Sequence, residues 1–326
     1  MSLKTSLLTV ISMRKIIIDC DPGHDDMMAI MLAAASGNVN LLGITTVAGN
    51  QTGDKTFTNA LKVVTLIGEN IPVARGCDKP LVRELVTAPQ FHGQTGLDGA
   101  DLPSAVINPA AEHACDFIIS TARQNGTITL VPTGPLTNIA LALTKDPGIK
   151  NNIERIVLMG GGMHDSNVTP AAEFNIYVDP EAAKIVFNSG IPITMVGLDV
   201  TNRAIMTPGE IEDLNKPGGR VSGVVVPLLQ FFAKANKDIF DLPGAPLHDA
   251  LAVASVIAPE VIKTKHRRVD IEVSGELTRG MTLVDIYGVT GKTPNADVAL
   301  ELDNKLFISM MSSAVHTLDS RAAEGK

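Results

Sequence analysis

The sequence predicts an α/β fold: one open, mostly parallel β-sheet flanked by helices, followed by smaller C-terminal strands and helices. Three observations predict it. Apolar runs of strand length alternate with helical stretches over roughly the first 200 residues, which is the pattern of βαβ units. Several of these runs are continuously apolar, as strands are when helices cover both faces of a sheet. Polar residues collect where the strand runs stop, and open α/β sheets bind ligands beyond the carboxyl ends of their strands.

In chain order, strands are expected over 15–20, 41–47, 128–131, 155–159 and 193–198. Each is a Val/Ile/Leu-rich run closed by Gly, Pro, Asp or Asn. Between them, apolar residues at helical spacing place helices over 25–36, 55–66, 110–123, 136–144 and 180–188. The last third changes character. Helices are expected over 221–237 and 249–257, strands over 269–273, 281–287 and 298–302, and a closing helix over 304–318. No internal repeat, low-complexity tract or linker divides the chain, so residues 13–326 read as a single Rossmann-like domain. Residues 1–12 contain Leu7-Leu-Thr-Val-Ile11, short for a signal core and without a cleavage site. They read as a leader or disordered extension.

Composition narrows the function. The 326 residues are 45% hydrophobic and 19% charged, enough to bury a large core. Net charge is −8, no Lys/Arg cluster exceeds a pair such as Arg267-Arg268, and there is no Trp, so nucleic-acid binding is not expected. No apolar run approaches the roughly 18 residues of a membrane span. The three cysteines, Cys20, Cys77 and Cys115, are far apart and odd in number, which fits a reducing cytoplasm better than a disulfide framework.

The most informative segment is Lys15-Ile-Ile-Ile-Asp-Cys-Asp-Pro-Gly-His-Asp-Asp26. It reads as a buried strand, a Pro-Gly turn and a helix with an acidic first turn. Asp19, Asp21, Asp25 and Asp26 repel one another unless a cation sits among them. Oxygen ligands on short side chains suit Ca²⁺ or Mg²⁺ better than Zn²⁺. Taken singly, Asp25 and Asp26 are also what a helix N-terminus prefers. Val131-Pro-Thr-Gly-Pro135 is a turn with a helix-starting proline, or a bend that frees backbone carbonyls for a hard cation. Gly160-Gly-Gly162 lacks the spacing of a dinucleotide loop and allows close backbone approach. Asn167, Glu173 and Asn175 carry donors and acceptors that suit vicinal sugar hydroxyls, or simply a solvated loop. His248-Asp249 opens an apolar helix, as a cap or as a metal ligand beside a proton-transfer group. His92-Gly-Gln-Thr-Gly-Leu-Asp-Gly99 is Gly-rich and is expected to move, with His92 able to close over a ligand. No nucleophile elbow, Walker loop or Cys-x-x-Cys is present.

Together these motifs resemble the nucleoside hydrolases, N-glycosidases that cleave base from ribose. The resemblance runs from about Met13 to the C-terminus. It rests on Asp19-Cys-Asp-Pro-Gly-His-Asp-Asp26, with support from Thr45-Thr-Val-Ala-Gly-Asn50, Val131-Pro-Thr-Gly134, Val157-Leu-Met-Gly-Gly-Gly162, Ala172-Glu-Phe-Asn175 and His248-Asp249. It implies a tightly bound Ca²⁺ held by Asp21, Asp26, the Thr133 carbonyl and Asp249, with the ribose hydroxyls and a water completing the shell. Asp21 would be the general base toward that water. Asp25 and Asn175 would hold the ribose hydroxyls, Asn167 and Glu173 the 5′-hydroxyl end, and Asn50 and Met159 would line the sugar pocket. His248 would face the base as its acid. The resemblance also implies a small-molecule ribonucleoside substrate and a homo-oligomer, tetramer or dimer. His24 and Thr95-Gly-Leu-Asp-Gly99 resemble the pyrimidine-preferring branch more than the broad inosine–uridine branch. Asn236 and Phe240 fall where that branch usually carries Gln and Tyr, so the helix over 231–240 would lay apolar rings on the substrate with fewer hydrogen bonds.

Two other readings compete. Asp19-x-Asp21 after a strand also suggests a phosphatase of the haloacid dehalogenase type, but Pro22-Gly23 follows and no convincing distal Asp-Asp pair appears. A non-catalytic nucleoside-binding protein would have no need of a general base at Asp21.

Overall fold

A computed structural model describes residues 13–216 and 218–324. The leader expected over 1–12 therefore lies outside the described residues. Along the chain run β1 (Arg14–Cys20), α1 (His24–Ala35), β2 (Val39–Thr46), α2 (Gly53–Ile67), β3 (Val73–Arg75), α3 (Pro89–His92) and α4 (Ala114–Asn125). Next come β4 (Ile128–Pro132), α5 (Thr137–Lys145), β5 (Ile153–Met159), α6 (Phe174–Val178), α7 (Pro180–Phe187), β6 (Ile193–Val196) and α8 (Leu198–Thr201). The chain continues through β7 (Ile205–Met206), α9 (Pro208–Asp213), α10 (Ser222–Phe240), β8 (Ala245–Pro246) and α11 (His248–Ile257). It ends with β9 (Ile262–Ile271), β10 (Thr282–Asp285), β11 (Ala296–Leu302) and α12 (Asn304–Glu324).

The main sheet has nine strands in the order β10-β9-β11-β6-β5-β4-β1-β2-β3. Pairings from β11 through β6, β5, β4, β1, β2 and β3 are parallel, and β9 alone runs the other way, pairing antiparallel with β11 and with β10. β1 shows how alternation builds both cores. Ile16 and Ile18 face one side, among α1, α2, α10, α11 and α12, while Ile17 faces α4, α5 and α7 on the other. All three are fully buried, which is why the run is continuously apolar.

Most expected elements stand within a few residues of their predicted bounds. β9 is the main departure. It begins at Ile262, not near 269, because Lys263, Lys265, His266, Arg267 and Arg268 occupy a largely exposed stretch of strand that carries no apolar signal. β3, three residues long, gave too little pattern to detect. None of the helices is long and apolar enough to cross a membrane among the described residues.

The topology reverses beside β1: β2 lies on one side and β4 on the other. The loops after β1, β2, β4 and β5 therefore meet over one end of the sheet, the place where such folds bind ligands.

Candidate active site

A cavity of about 270 Å³ opens at that end, near the low end of small-ligand pockets at roughly 300 Å³. Asp25, Asn50, Thr133, Met159, Asn167, Glu173, Asn175, Asn236, Phe240, His248 and Asp249 all line it. Chain folding thus gathers residues from α1, α6, α10, α11 and three strand-end loops.

Asp21 and Asp26 lie beneath the floor, fully buried. Asp26 answers both readings of its motif. Its Oδ2 accepts from the Gly23 N–H at 3.0 Å, capping α1, while its Oδ1 accepts from the Thr133 hydroxyl at 2.8 Å. Asp21 Oδ2 accepts from the Asn50 N–H at 2.6 Å, and its Oδ1 has no partner. Gly49 and Gly134 press their backbones against this carboxylate so closely that a Cβ on either would collide with it. Asp25 Oδ1 is likewise buried and unpartnered. Oxygens of Asp25, Asp26 and Asp249 come within 4.8 Å of one another.

Unpaired buried carboxylates are costly, and here they are crowded as well. Burial, then repulsion from Asp26, holds the Asp21 carboxyl well above its ordinary value. The same causes raise Asp25 to about 7. Burial raises Asp26, and burial with repulsion from Asp25, Asp26 and Asp21 raises Asp249 well above its ordinary value. Four carboxyls that resist ionisation together, two with orphaned oxygens, fit a hard divalent cation, whose charge would replace the protons. The Thr133 carbonyl accepts from Asn175 Nδ2 at 2.8 Å and keeps a second lone pair. The donor set is oxygen throughout, as Ca²⁺ prefers, with Asp25 closer to the group than the sequence suggested.

This crowding has a pH consequence. A carboxyl whose pKa rises on folding holds more protons folded than unfolded, so stability falls as pH climbs. For Asp25 the window runs from the ordinary 3.8 to about 7. A cation that takes the protons' place should remove that penalty. The rise in Tm given by saturating Ca²⁺ is therefore expected to grow steadily across this window in differential scanning calorimetry. An increment independent of pH would contradict it.

The polar wall is tightly held. Glu173 caps α6: its oxygens accept from Asn175 N–H at 2.9 Å, Gly161 N–H at 2.8 Å and Ile176 N–H at 3.2 Å. Burial still raises its carboxyl to about 7. Asn167 Oδ1 accepts from Phe174 N–H at 2.9 Å, leaving its amide hydrogens for a ligand. Asn175 Nδ2 also reaches the Met159 carbonyl at 3.2 Å, fixing the floor of the sugar-sized space. Asp199 and Asn202, which follow β6, do not join this wall. Asp199 accepts from the N–H groups of Met163 and His164, and Asn202 donates to Asp165, so both tether the loop after β5.

The other wall is apolar. Phe91 and Phe240 stack at 5.3 Å, and Phe232, Ile239 and Phe174 complete it. Of these only Phe240 was singled out in sequence. Phe91, Phe174, Phe232 and Gln90 lie in ordinary apolar or polar contexts that carry no signal. Asn236 is buried, its Nδ2 donating to its own helix at the Phe232 carbonyl. His248 Nδ1 lies 2.8 Å from the Thr201 hydroxyl, and burial lowers its pKa to about 4.

His92 departs from expectation. It stands behind the pocket wall, buried, stacked on His24 at 5.5 Å and Phe232 at 5.2 Å. The Gly-rich loop is latched as well: Gln51 Nε2 donates to the Gly93 carbonyl at 2.7 Å, Asn59 Nδ2 to Thr95 at 3.0 Å, and His24 Nε2 to Asp98 at 2.8 Å. His24 stacks on Phe232 at 5.1 Å, so it too supports the aromatic wall from behind.

A family model described as inosine-uridine preferring nucleoside hydrolase matches residues 16–309. The chain is 48% identical over 307 residues to the pyrimidine-specific ribonucleoside hydrolase RihA of Shewanella woodyi, spanning 93% of this chain and 98% of that protein. It is 47% identical to the RihA of Salmonella typhimurium, spanning 91% and 96%. Among solved structures, the purine-preferring ribonucleoside hydrolase from Gardnerella vaginalis matches with a TM-score of 0.89 at 34% identity, covering 94% of this chain and 100% of that one.

Proposed function

The chain belongs to the inosine-uridine preferring nucleoside hydrolase family, and we propose that its pocket hydrolyses the N-glycosidic bond of ribonucleosides, uridine and cytidine ahead of inosine, releasing base and ribose. Membership in this family sets aside the phosphatase reading. The observation that carries the proposal is the division of the pocket, with buried carboxylates and amides on its floor and phenyl rings toward its exposed rim. A ribose with its hydroxyls down and a planar base among rings matches that division.

We take Asp21, Asp26, Asp249 and the Thr133 carbonyl as the residues that hold Ca²⁺, with Asp25 beside them. When bound, the ion supplies positive charge that grips a vicinal diol and lowers the pKa of a water. Asp21 takes a proton from the attacking water through its free Oδ1. Asp25 and Asn175 hold the 2′- and 3′-hydroxyls, and Asn167 and Glu173 the 5′-hydroxyl. Bond breaking leaves an oxocarbenium-like ribosyl cation. Carboxylates and amide oxygens already fixed around the sugar stabilise that charge without reorganising.

The departing base needs a proton, and His248 is the titratable side chain placed to give it. The tautomer this role requires carries its proton on Nε2, with Nδ1 accepting from the Thr201 hydroxyl 2.8 Å away. If this ring serves the base, His248→Ala should slow uridine hydrolysis about 10²-fold or more while sparing p-nitrophenyl riboside, whose leaving group needs no proton. Equal losses on both substrates would reassign His248 to positioning the sugar or Asp249.

The pyrimidine preference draws on the relatives with greater identity, which are named pyrimidine-specific. Asn236 and Phe240 offer the base one amide and one ring. Steady-state kcat/KM for uridine, cytidine and inosine tests the preference, and inosine turned over as well as uridine would overturn it. We also place the enzyme in the cytoplasm as a homo-oligomer, tetramer or dimer, for which sedimentation velocity is the check.

A further inference from the structure

We propose that a second cavity, at the end of the sheet opposite the active site, binds a small neutral polyhydroxylated molecule of pentose size. It measures about 350 Å³, against 270 Å³ for the active-site cavity. Each cavity takes one end of α11. His248 and Asp249 start that helix at the upper cavity, and Ser255 and Val256 lie in its last turn at the lower one. The helix is ten residues long, about 15 Å, so the two cavities are separate.

The lower cavity forms where α11 stops and the face of the sheet turns polar. Val131, Val157 and Val196 pack in the core that α11 covers. Two residues earlier on the same strands, and therefore on the same face, stand Thr129, Arg155 and Thr194, which line the cavity instead. Strand register sets them side by side: Thr129 is paired with Arg155, and Thr194 lies between Val157 and Asp297. A parallel sheet under helices is ordinarily apolar at such positions.

Thr129 and Thr194 are only 2% and 7% exposed, and among the described residues neither hydroxyl has a hydrogen-bonding partner. Buried hydroxyls are normally paired, so the contents of the cavity must serve these two. The Ser255 hydroxyl donates to the Ala252 carbonyl at 2.8 Å and keeps its lone pairs. At the rim, Arg14 donates to the Val256 carbonyl, and Asp297 Oδ1 lies 2.9 Å from His266 Nδ1. Glu154 and Arg155 have no partner among the described residues. Two guanidinium groups balance two carboxylates, so no net charge draws a simple anion or cation. Mixed donors and acceptors remain, beside apolar Val157, Val256 and Ile262. A polyol matches that set, because each of its hydroxyls both donates and accepts while its C–H edges suit the apolar side.

The probe is d-ribose. That choice rests on the proposed function, which releases it, whereas the cavity stands without that reading. Equilibrium dialysis of the full chain with labelled d-ribose is run after chelator treatment, which disables a calcium-dependent active site. One ribose per chain is expected, with a dissociation constant on the order of 1 mM. Thr129→Val, Thr194→Val and the exposed Arg155→Leu should each weaken it about tenfold without lowering Tm in scanning calorimetry. Asp25→Asn should leave it unchanged. No ribose retained by the stripped chain would overturn the proposal. So would retention lost in Asp25→Asn but kept in Thr194→Val, which places the sugar in the active site. Displacement of ribose by equimolar inorganic phosphate would also overturn it, by marking an anion site. Ribose retained by a chain that hydrolyses no ribonucleoside would uphold the second site and count against the proposed function alone.

Discussion

Replacing Asp21 with Asn is expected to lower kcat by at least 10²–10⁴-fold while changing substrate affinity far less. The side chain keeps its shape and can keep the hydrogen bond from the Asn50 N–H through its amide oxygen. What it loses is the capacity of Oδ1 to accept a proton, and that oxygen is the one atom of the group with no partner. Weakened calcium binding would add to the loss, so affinity for the ion is measured alongside turnover. Activity within a few-fold of the unaltered enzyme would refute the general-base role. Glu at this position is expected to fare no better, because Gly49 and Gly134 leave no room for a further methylene around the carboxylate.

The second large effect concerns the sugar. Uridine is expected to exceed 2′-deoxyuridine in kcat/KM by 10⁴-fold or so. Asp25, with a buried unpartnered oxygen, and Asn175, fixed by its bonds to the Thr133 and Met159 carbonyls, face the space assigned to the ribose diol. A site built to bond a hydroxyl leaves buried polar groups unpaired when that hydroxyl is missing. Comparable values for the two substrates would show that the diol is not what these residues hold.

Much of this was legible in the sequence because the signals are local. Ile16-Ile-Ile18 followed by Asp19-x-Asp21 announces a buried strand and its functional end within six residues. Pro22-Gly23 and the acidic pair Asp25-Asp26 mark the helix start. These segments sit at strand ends, so topology alone brought Asp21, Asn50 and Thr133 together.

What escaped the sequence depends on long-range packing. His92 looked like a free loop residue, but its ring is stacked on Phe232, which lies 140 positions later, and on His24. Nothing near His92 could reveal that partner. The capping role of Glu173, whose oxygens accept from three backbone N–H groups beside the pocket, carries no signal in the sequence, because the five-residue helix that begins there is too short to show periodicity. The start of β9 was hidden for the opposite reason: its charged residues are solvated, and only its pairing with β11 makes it a strand.

The most direct test is the release of free ribose from uridine in phosphate-free buffer, followed with and without a chelator. Stoichiometric ribose and uracil, abolished by chelation and restored by Ca²⁺, is the predicted result. No reducing sugar from any ribonucleoside by the calcium-loaded enzyme, or ribose release unaffected by stripping the ion, would contradict it.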